Sequence, residues 1–257
     1  MRQSIKFGLS GAVSAWATLS NFSFPSKYTW RWKLDMLTGR YELETTRLFK
    51  HIVKPGMIVI DIGAHIGYFS RLAAKRVGKK GHIYAFESDP ENRSLLMKNV
   101  ARYPWVHIRD EAVSDIDGPI IFYHLKRSTG CHTTIPTDER SEQFTVPATR
   151  LDTFFEKNRI QRVDLIKIDI EGGEIRALKG MLGVLRKKPR LIIEYNPSAL
   201  ARSGASDEAL FELLQQYGYS ISAITSKGLI PLKSPFSISA GALLGPDNSV
   251  NIFCEPV

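Results

Sequence analysis

Cysteine is scarce in this chain: two residues in 257, Cys131 and Cys254, too far apart for a metal-ligand or redox spacing. That scarcity excludes a disulfide-stapled scaffold and a cysteine-based zinc site, and it fits a reducing cytoplasm. Long apolar runs are missing as well. Residues 7–24 are rich in Ala, Ser, Leu and Phe after Arg2 and Lys6, but Ser10, Gly11, Ser14, Thr18, Ser20 and Asn21 interrupt them. The stretch therefore falls short of the roughly 20 continuous apolar residues that span a bilayer, and no transmembrane span is expected. It reads as a helix within an N-terminal segment, residues 1–40, that packs on the body or forms part of a lid; peripheral membrane contact through residues 1–24 is the alternative. Repeats and low-complexity linkers are absent, so residues 41–257 are expected to form one domain. Negative charge is in deficit, with 26 Asp and Glu against 35 Lys and Arg and a net charge of +9. Such an excess suits a nucleic acid, an anionic membrane surface or an acidic small substrate, and it equally serves solubility alone.

What is present is an alternation of two periodicities. Residues 57–62, 83–86, 106–108, 163–170 and 190–195 are short apolar runs, mostly β-branched, as in strands buried on both faces. Helical spacing occupies 41–53, closed by Lys54-Pro55-Gly56, and then 68–77, 151–158 and 174–186. Two further helices carry start signals: 89–102 opens with Asp89 as N-cap and Pro90 in its first turn, and 206–217 opens with Ser206. Residues 120–125 and 144–149 read as an inserted hairpin around a polar loop, 126–142, while 220–225 and 250–254 read as closing strands. The pattern predicts an α/β fold, a doubly wound, mostly parallel seven-stranded sheet with helices on both faces and an inserted β-hairpin.

Open α/β sheets bind ligands outside the carboxyl ends of their strands. The first strand ends in Asp61-Ile62-Gly63-Ala64-His65-Ile66-Gly67. A dinucleotide site needs G-x-G-x-x-G, and His65 stands where the second Gly would let a pyrophosphate approach. The pattern D-x-G-x-x-x-G suits a nucleoside that bears a methionine: Asp61 takes the ammonium, and backbone N–H groups of the turn meet the carboxylate. Glu87 ends the second strand, placed to accept both ribose hydroxyls. Asp110-Glu111-Ala112, after the third strand, is placed for the adenine amine. Taken one at a time, these residues also describe a glycine turn with a capping Asp and ordinary loop acids. In sequence order they point to S-adenosylmethionine.

With Tyr41-Glu42 upstream, the motifs VIDIGAHIGYFS at 59–70, FESDPEN at 86–92, LDTFF at 151–155, VDLIKIDIEGGE at 163–174, ALKG at 177–180 and LIIE at 191–194 resemble the FkbM-type methyltransferases. These are Rossmann-like S-adenosylmethionine enzymes, and the resemblance covers roughly residues 41–200. It implies methyl transfer, usually to a hydroxyl oxygen of a small molecule or saccharide. On this resemblance the cofactor set is Glu42, Asp61, Gly63, Ala64, His65, Gly67, Tyr68, Glu87, Ser88, Glu111, Ala112 and Asp169. Ser88 stands where that family more often has Pro, and the first forty residues match none of its motifs. Asp169, at the tip of the fourth strand, is expected to position the acceptor hydroxyl or receive its proton, with His132 and His65 as the alternative bases and Lys167 snorkelling or paired to an acid. Acceptor choice is expected in loop 126–142 and the N-terminal segment. No metal is expected: apart from the acidic trio Asp169, Glu171 and Glu174 no His, Cys or carboxylate set has a ligand spacing, and a cation cage needs several converging oxygens that a sequence does not show. A nucleic-acid acceptor is disfavoured, since Glu194-Tyr195-Asn196-Pro197 lacks the N-P-P-aromatic run that recognises base amines. An RNA-directed methyltransferase and a cofactor-binding module without catalysis remain the alternatives.

Overall fold

The computed structural model of the chain describes residues 2–124, 132–133, 142–240, 243–245 and 248–257. Three helices precede the first strand: α1 (Arg2–Leu19), α2 (Trp30–Thr38) and α3 (Leu43–Ile52). The Thr29 hydroxyl accepts the Trp32 N–H at the start of α2, and Gly39, at φ +73°, ends it in the left-handed region that a side chain disfavours. The chain after α1 is latched to the body by two buried side chains. The Arg71 guanidinium donates to the carbonyls of Ser20, Asn21 and Asn99. Asn99 donates to the carbonyls of Ser23 and Ile66 and accepts the Ser23 N–H. Arg71 has no carboxylate partner among the described residues; carbonyl dipoles and the Phe22 ring, 5.1 Å from its guanidinium carbon, balance the charge instead.

The body begins with β1 (Ile58–Ile62), α4 (Tyr68–Val77), β2 (His82–Phe86), α5 (Pro90–Val100) and β3 (Val106–Arg109). Asp89 caps α5 as expected, accepting the Asn92 N–H at 2.7 Å. Next come β4 (Ala112–Val113), β5 (Gly118–His124), β6 (His132–Thr133) and β7 (Glu142–Thr149). They form a separate sheet in the order β4-β7-β5-β6, in which antiparallel β5 and β7 are the expected hairpin. Most of loop 126–142, and Cys131 with it, lies outside the described residues.

The chain continues through α6 (Leu151–Asn158), β8 (Leu165–Ile168), α7 (Glu174–Lys179), α8 (Leu182–Leu185), β9 (Arg190–Tyr195) and α9 (Pro197–Arg202). It closes with α10 (Asp207–Gln216), β10 (Tyr219–Thr225), β11 (Gly228–Leu232), α11 (Phe236–Ala240) and β12 (Val250–Pro256). The main sheet runs β11-β10-β12-β9-β8-β1-β2-β3. Strands β3 to β9 in that row are parallel, and β12 is inserted antiparallel between β9 and β10. Alternation along β1 sends Val59 to one face, with Phe49, Phe69 and Ala73, and Ile60 and Ile62 to the other, with Phe154, Ile166 and Leu178. Helices thus cover both faces.

Two elements differ from the sequence pattern. The sheet has eight strands instead of seven, because β11 folds back on β10 as an edge strand. Its mostly exposed side chains and Pro231 conceal it from an apolar-run reading. The expected helix over 174–186 breaks into α7 and α8 at Gly180. A Cβ there would collide with the Ser114 carbonyl, so the chain stops its helix where it passes against the segment after β4.

Candidate active site

A cleft of about 760 Å³ opens at the carboxyl ends of β1, β2, β8 and β9, where the strand order reverses between β1 and β8. Gly63 leads the β1–α4 turn at φ +79°, and a Cβ on it would collide with the Asp169 carbonyl oxygen. Only glycine lets this turn pass against the end of β8. Among the described residues seven non-glycines have positive φ, and four of them, Glu42, His65, Glu171 and Asn248, line this cleft. Such conformations cost about 1–3 kcal/mol each and persist only where the surroundings hold them.

Four N–H groups of the turn expected to face a methionine carboxylate are engaged within the fold, those of Gly63, Ala64, His65 and Gly67. Gly63 and Ala64 donate to the Phe86 carbonyl at 3.0 and 2.9 Å, His65 to Glu87 Oε2 at 2.7 Å, and Gly67 to the Ala64 carbonyl at 2.8 Å. Close packing of the turn on the end of β2 engages these donors. Gly67 is also the one member of the expected cofactor set that does not line the cleft. A Cβ on it would lie 2.6 Å from Leu96 Cδ1, so it serves the packing of α4 on α5.

Acidic groups gather around one buried ammonium. Lys167, on β8 and 2% exposed, donates to Asp169 Oδ2 at 2.7 Å and sits 4.6 Å from the Phe69 ring centre. Burial opposes its charge, but the carboxylates of Asp169, Glu42 and Asp61 hold the ammonium well above the usual lysine range. Asp61 accepts the Ser70 hydroxyl at 2.6 Å, which ties β1 to the first turn of α4, and burial pushes its carboxyl up. Glu42, just before α3, accepts the Asn251 amide of β12 at 2.9 Å; burial raises its carboxyl too, against the pull of Lys167.

Asp169, partly buried, stays ionised because Lys167 holds its carboxyl below the usual range against the cost of desolvation. Glu194 ends β9 beside it, and the Asp169 charge, with burial, pushes the Glu194 carboxyl up to about 10. At neutral pH Glu194 therefore keeps its proton and hydrogen-bonds to Asp169. One carboxylate is held between an ammonium and a carboxylic acid. From sequence, Glu194 is only an acid before a Pro-containing turn. Its partnership follows from the β8–β9 register, which sets Ile168 against Ile193 and so brings the next residues together.

At the other end of the cleft Glu87, 7% exposed, accepts the N–H groups of His65 and Asp89. Each carboxylate oxygen can take a second hydrogen bond, so fixing the turn and receiving a hydroxyl are compatible. Glu111 Oε2 is buried and has no hydrogen-bond partner among the described residues. A buried orphan acceptor costs free energy unless a donor comes to it, and this one lies on the cleft beside Ala112. Ala64, Tyr68 and Ser88 also line the cleft. His132 has its backbone in β6, and its side chain lies outside the described residues.

The N-terminal segment, expected to pack on the body or form part of a lid, supplies an aromatic wall whose residues no sequence motif marks. Tyr28, Trp32 and Met36 line the cleft. The Tyr28 hydroxyl lies 3.3 Å from His65 Nε2, and its ring meets Trp32 edge-on at 5.4 Å. Among the described residues there is no cluster of three or more His, Cys, Asp or Glu arranged to hold a metal, and no helix long and apolar enough to cross a membrane.

Glu174 closes the loop between β8 and α7. It is 2% exposed and accepts the N–H groups of Gly172 and Ile170 at 3.1 and 3.3 Å, and burial pushes its carboxyl up to about 7. A folded-state value above that of the unfolded chain gives a stability contribution that is full below the unfolded value and lost as pH rises through about 7. Glu174→Gln keeps an acceptor and cannot ionise. Thermal denaturation should show the parent losing Tm relative to this variant between pH 5 and pH 8; parallel curves would remove Glu174 as the titrating group.

The doubly wound sheet and the cleft at its reversal point place the molecule in the Rossmann-like class of S-adenosylmethionine-dependent methyltransferases. The Methyltransferase FkbM domain profile matches residues 61–221, and the chain belongs to that family. It is 25% identical to the AMB antimetabolite synthetase AmbE of Pseudomonas aeruginosa, over 66% of this chain and 10% of that protein. It is 24% identical to the hexuronic acid methyltransferase AglP of Haloferax volcanii, over 63% of this chain and 65% of the relative. With the 2-O-methyltransferase NoeI of Sinorhizobium fredii it shares 24% identity over 64% of this chain and 73% of the relative. The chain thus spans less than two thirds of the length of the first two.

Proposed function

We propose that the protein methylates a hydroxyl oxygen of a saccharide with S-adenosylmethionine as donor. The observation that carries this reading is the ionised Asp169 at the tip of β8, between Lys167 and a protonated Glu194, in a cleft whose far side holds Glu87 and the orphan acceptor of Glu111. When bound, S-adenosylmethionine supplies an electrophilic methyl on a sulfonium. Glu42 and Asp61 would hold its ammonium, Glu87 its ribose hydroxyls and Glu111 its adenine amine. The surplus of carboxylates over Lys167 favours a cationic ligand.

Asp169 would accept the hydrogen bond of the acceptor hydroxyl and so aim an oxygen lone pair along the line of transfer. Alignment of this kind can supply much of the acceleration in a displacement with a good leaving group. Lys167 and Glu194 both hydrogen-bond to Asp169, which weakens it as a base; orientation is its larger contribution. Support for a saccharide comes from the names of AglP and NoeI and from the hydroxyl and amide groups of Ser198, Ser203 and Asn248 along the cleft. Residues 1–40 would act as a wall or lid through Tyr28 and Trp32, with residues 41–257 as the methyltransferase domain. Two cysteines and a cytoplasmic cofactor support a cytoplasmic enzyme.

Calorimetry tests the cofactor directly. The protein should bind S-adenosylmethionine and S-adenosylhomocysteine and ignore NAD; NAD bound as tightly would overturn the reading. Glu87→Ala should weaken S-adenosylhomocysteine by about 1.5–3 kcal/mol, the range for hydrogen bonds to a charged group. Unchanged affinity would take Glu87 out of the site.

A further inference from the structure

Resting on the methyltransferase reading of the cleft, we propose that its acceptor end binds an oxyanion carried by the saccharide, a carboxylate, sulfate or phosphate, between Arg176 and Arg202. Charge is divided along the cleft. The carboxylates of Asp61, Glu87 and Asp169 stand at or near strand tips, Glu42 just before α3 and Glu171 on the loop after β8, whereas Arg176 and Arg202 line the cleft from α7 and α9. The loop that leads into α7 passes against α9: a Cβ on Gly172 would come within 2.5 Å of the Ala199 carbonyl oxygen. Both arginines line the same cleft from these neighbouring segments.

Arg176 is already oriented. Its Nε donates to Asp115 Oδ1 at 2.9 Å, and its two terminal nitrogens make no hydrogen bond with another described residue. Arg202 makes no hydrogen bond or ion pair with any described residue. The hydroxyls of Ser198 and Ser203 line the same part of the cleft, and Asn248, held at φ +56°, donates to the Ser198 hydroxyl at 2.8 Å. A guanidinium fixed through one nitrogen presents its remaining pair as a fork, which matches two oxygens of an anion, and a second guanidinium adds charge. A neutral sugar would use the serines and the amide and leave both forks without a partner.

The test uses the full chain saturated with S-adenosylhomocysteine and three probes: glucuronate, glucose 6-phosphate and glucose. Calorimetry should show at least one charged probe binding about ten-fold or more tighter than glucose, and the tighter of the two charged probes identifies the oxyanion. Arg202→Gln should weaken the charged probe about ten-fold and leave glucose and S-adenosylhomocysteine unchanged. Arg176→Gln should do the same, with Arg176→Lys recovering part of the loss; the exposed Arg202 keeps the test independent of any misfolding caused by losing the Asp115 contact. Glucose bound as tightly as both charged probes, no binding of either, or an Arg202→Gln variant with undiminished affinity for them would each overturn the proposal. Titrating glucuronate without the nucleoside separates the two readings. Arginine-dependent binding in a protein that does not take S-adenosylhomocysteine would sink the methyltransferase reading and leave the anion site standing.

Discussion

Asp169→Asn is expected to lower kcat by about 10²-fold while S-adenosylhomocysteine affinity changes little. The substitution keeps the size of the side chain and removes the charge that accepts the acceptor's hydrogen bond. Lys167 retains Glu42 and Asp61 nearby, so the buried ammonium is not stranded. Glu194 responds as well: with the neighbouring carboxylate gone, the main cause of its high proton affinity disappears, and it should begin to ionise well below its present value of about 10. In the parent, Asp169 stays charged and Glu194 stays protonated near neutral pH, so this pair gives no inflection in kcat there. Single-turnover kinetics and calorimetry on the variant check both halves. If the Asn variant keeps full kcat and His132→Ala loses it, the role assigned to Asp169 belongs to His132.

Lys167→Met should cost more stability than any substitution at the cleft rim. The side chain is 2% exposed, and its removal leaves the carboxylates of Asp169, Glu42 and Asp61 near one another with no cation among them. Breaking a buried pair from one side costs about 3–5 kcal/mol, which in a chain of this size lowers Tm by roughly 10 °C or more. The pH dependence has a definite sign. Asp169, with its folded value depressed, contributes stability above the unfolded carboxyl value and loses it as pH falls. Lys167, with its folded value raised, contributes below the unfolded lysine value and loses it as pH rises through the folded one. The deficit should therefore span the neutral range and shrink only as pH falls below the unfolded carboxyl value, about 4, toward the lower folded value of Asp169. Thermal melts from pH 7 down to below pH 4 decide it, and a variant as stable as the parent at pH 7 would refute the account of Lys167 as the cluster's counter-ion.

Much of the fold is legible in the sequence where the signal is local. The bounds of α6 and β9 coincide with the spacing read from 151–158 and 190–195, and Asp89 and Ser206 cap the helices they precede. A short apolar run between turn residues, or an Asx or Ser before a helical period, carries its own instruction in a few neighbouring residues. β11 and the break between α7 and α8 are illegible for the opposite reason. The first depends on finding β10 as a partner, and the second on Ser114 arriving beside Gly180 from far along the chain.

The same division runs through the site. Asp61, Gly63 and Glu87 are readable because the ligand edge of such a sheet is set by strand ends, and each strand end is marked by a turn and an acid in the local sequence. Tyr28 and Trp32 belong to a segment without motifs, and Arg176 and Arg202 are ordinary surface charges until the fold brings α7 and α9 to the same cleft. Sequence alone determined the class of sheet, where its ligand edge lies and which acids stand along it, since these depend on periodicity and spacing over a few residues. Tertiary structure decided which acid is ionised, which keeps a proton and which cations line the cleft. Those properties arise from the exclusion of water and from distances between groups tens to hundreds of residues apart, which no local pattern encodes.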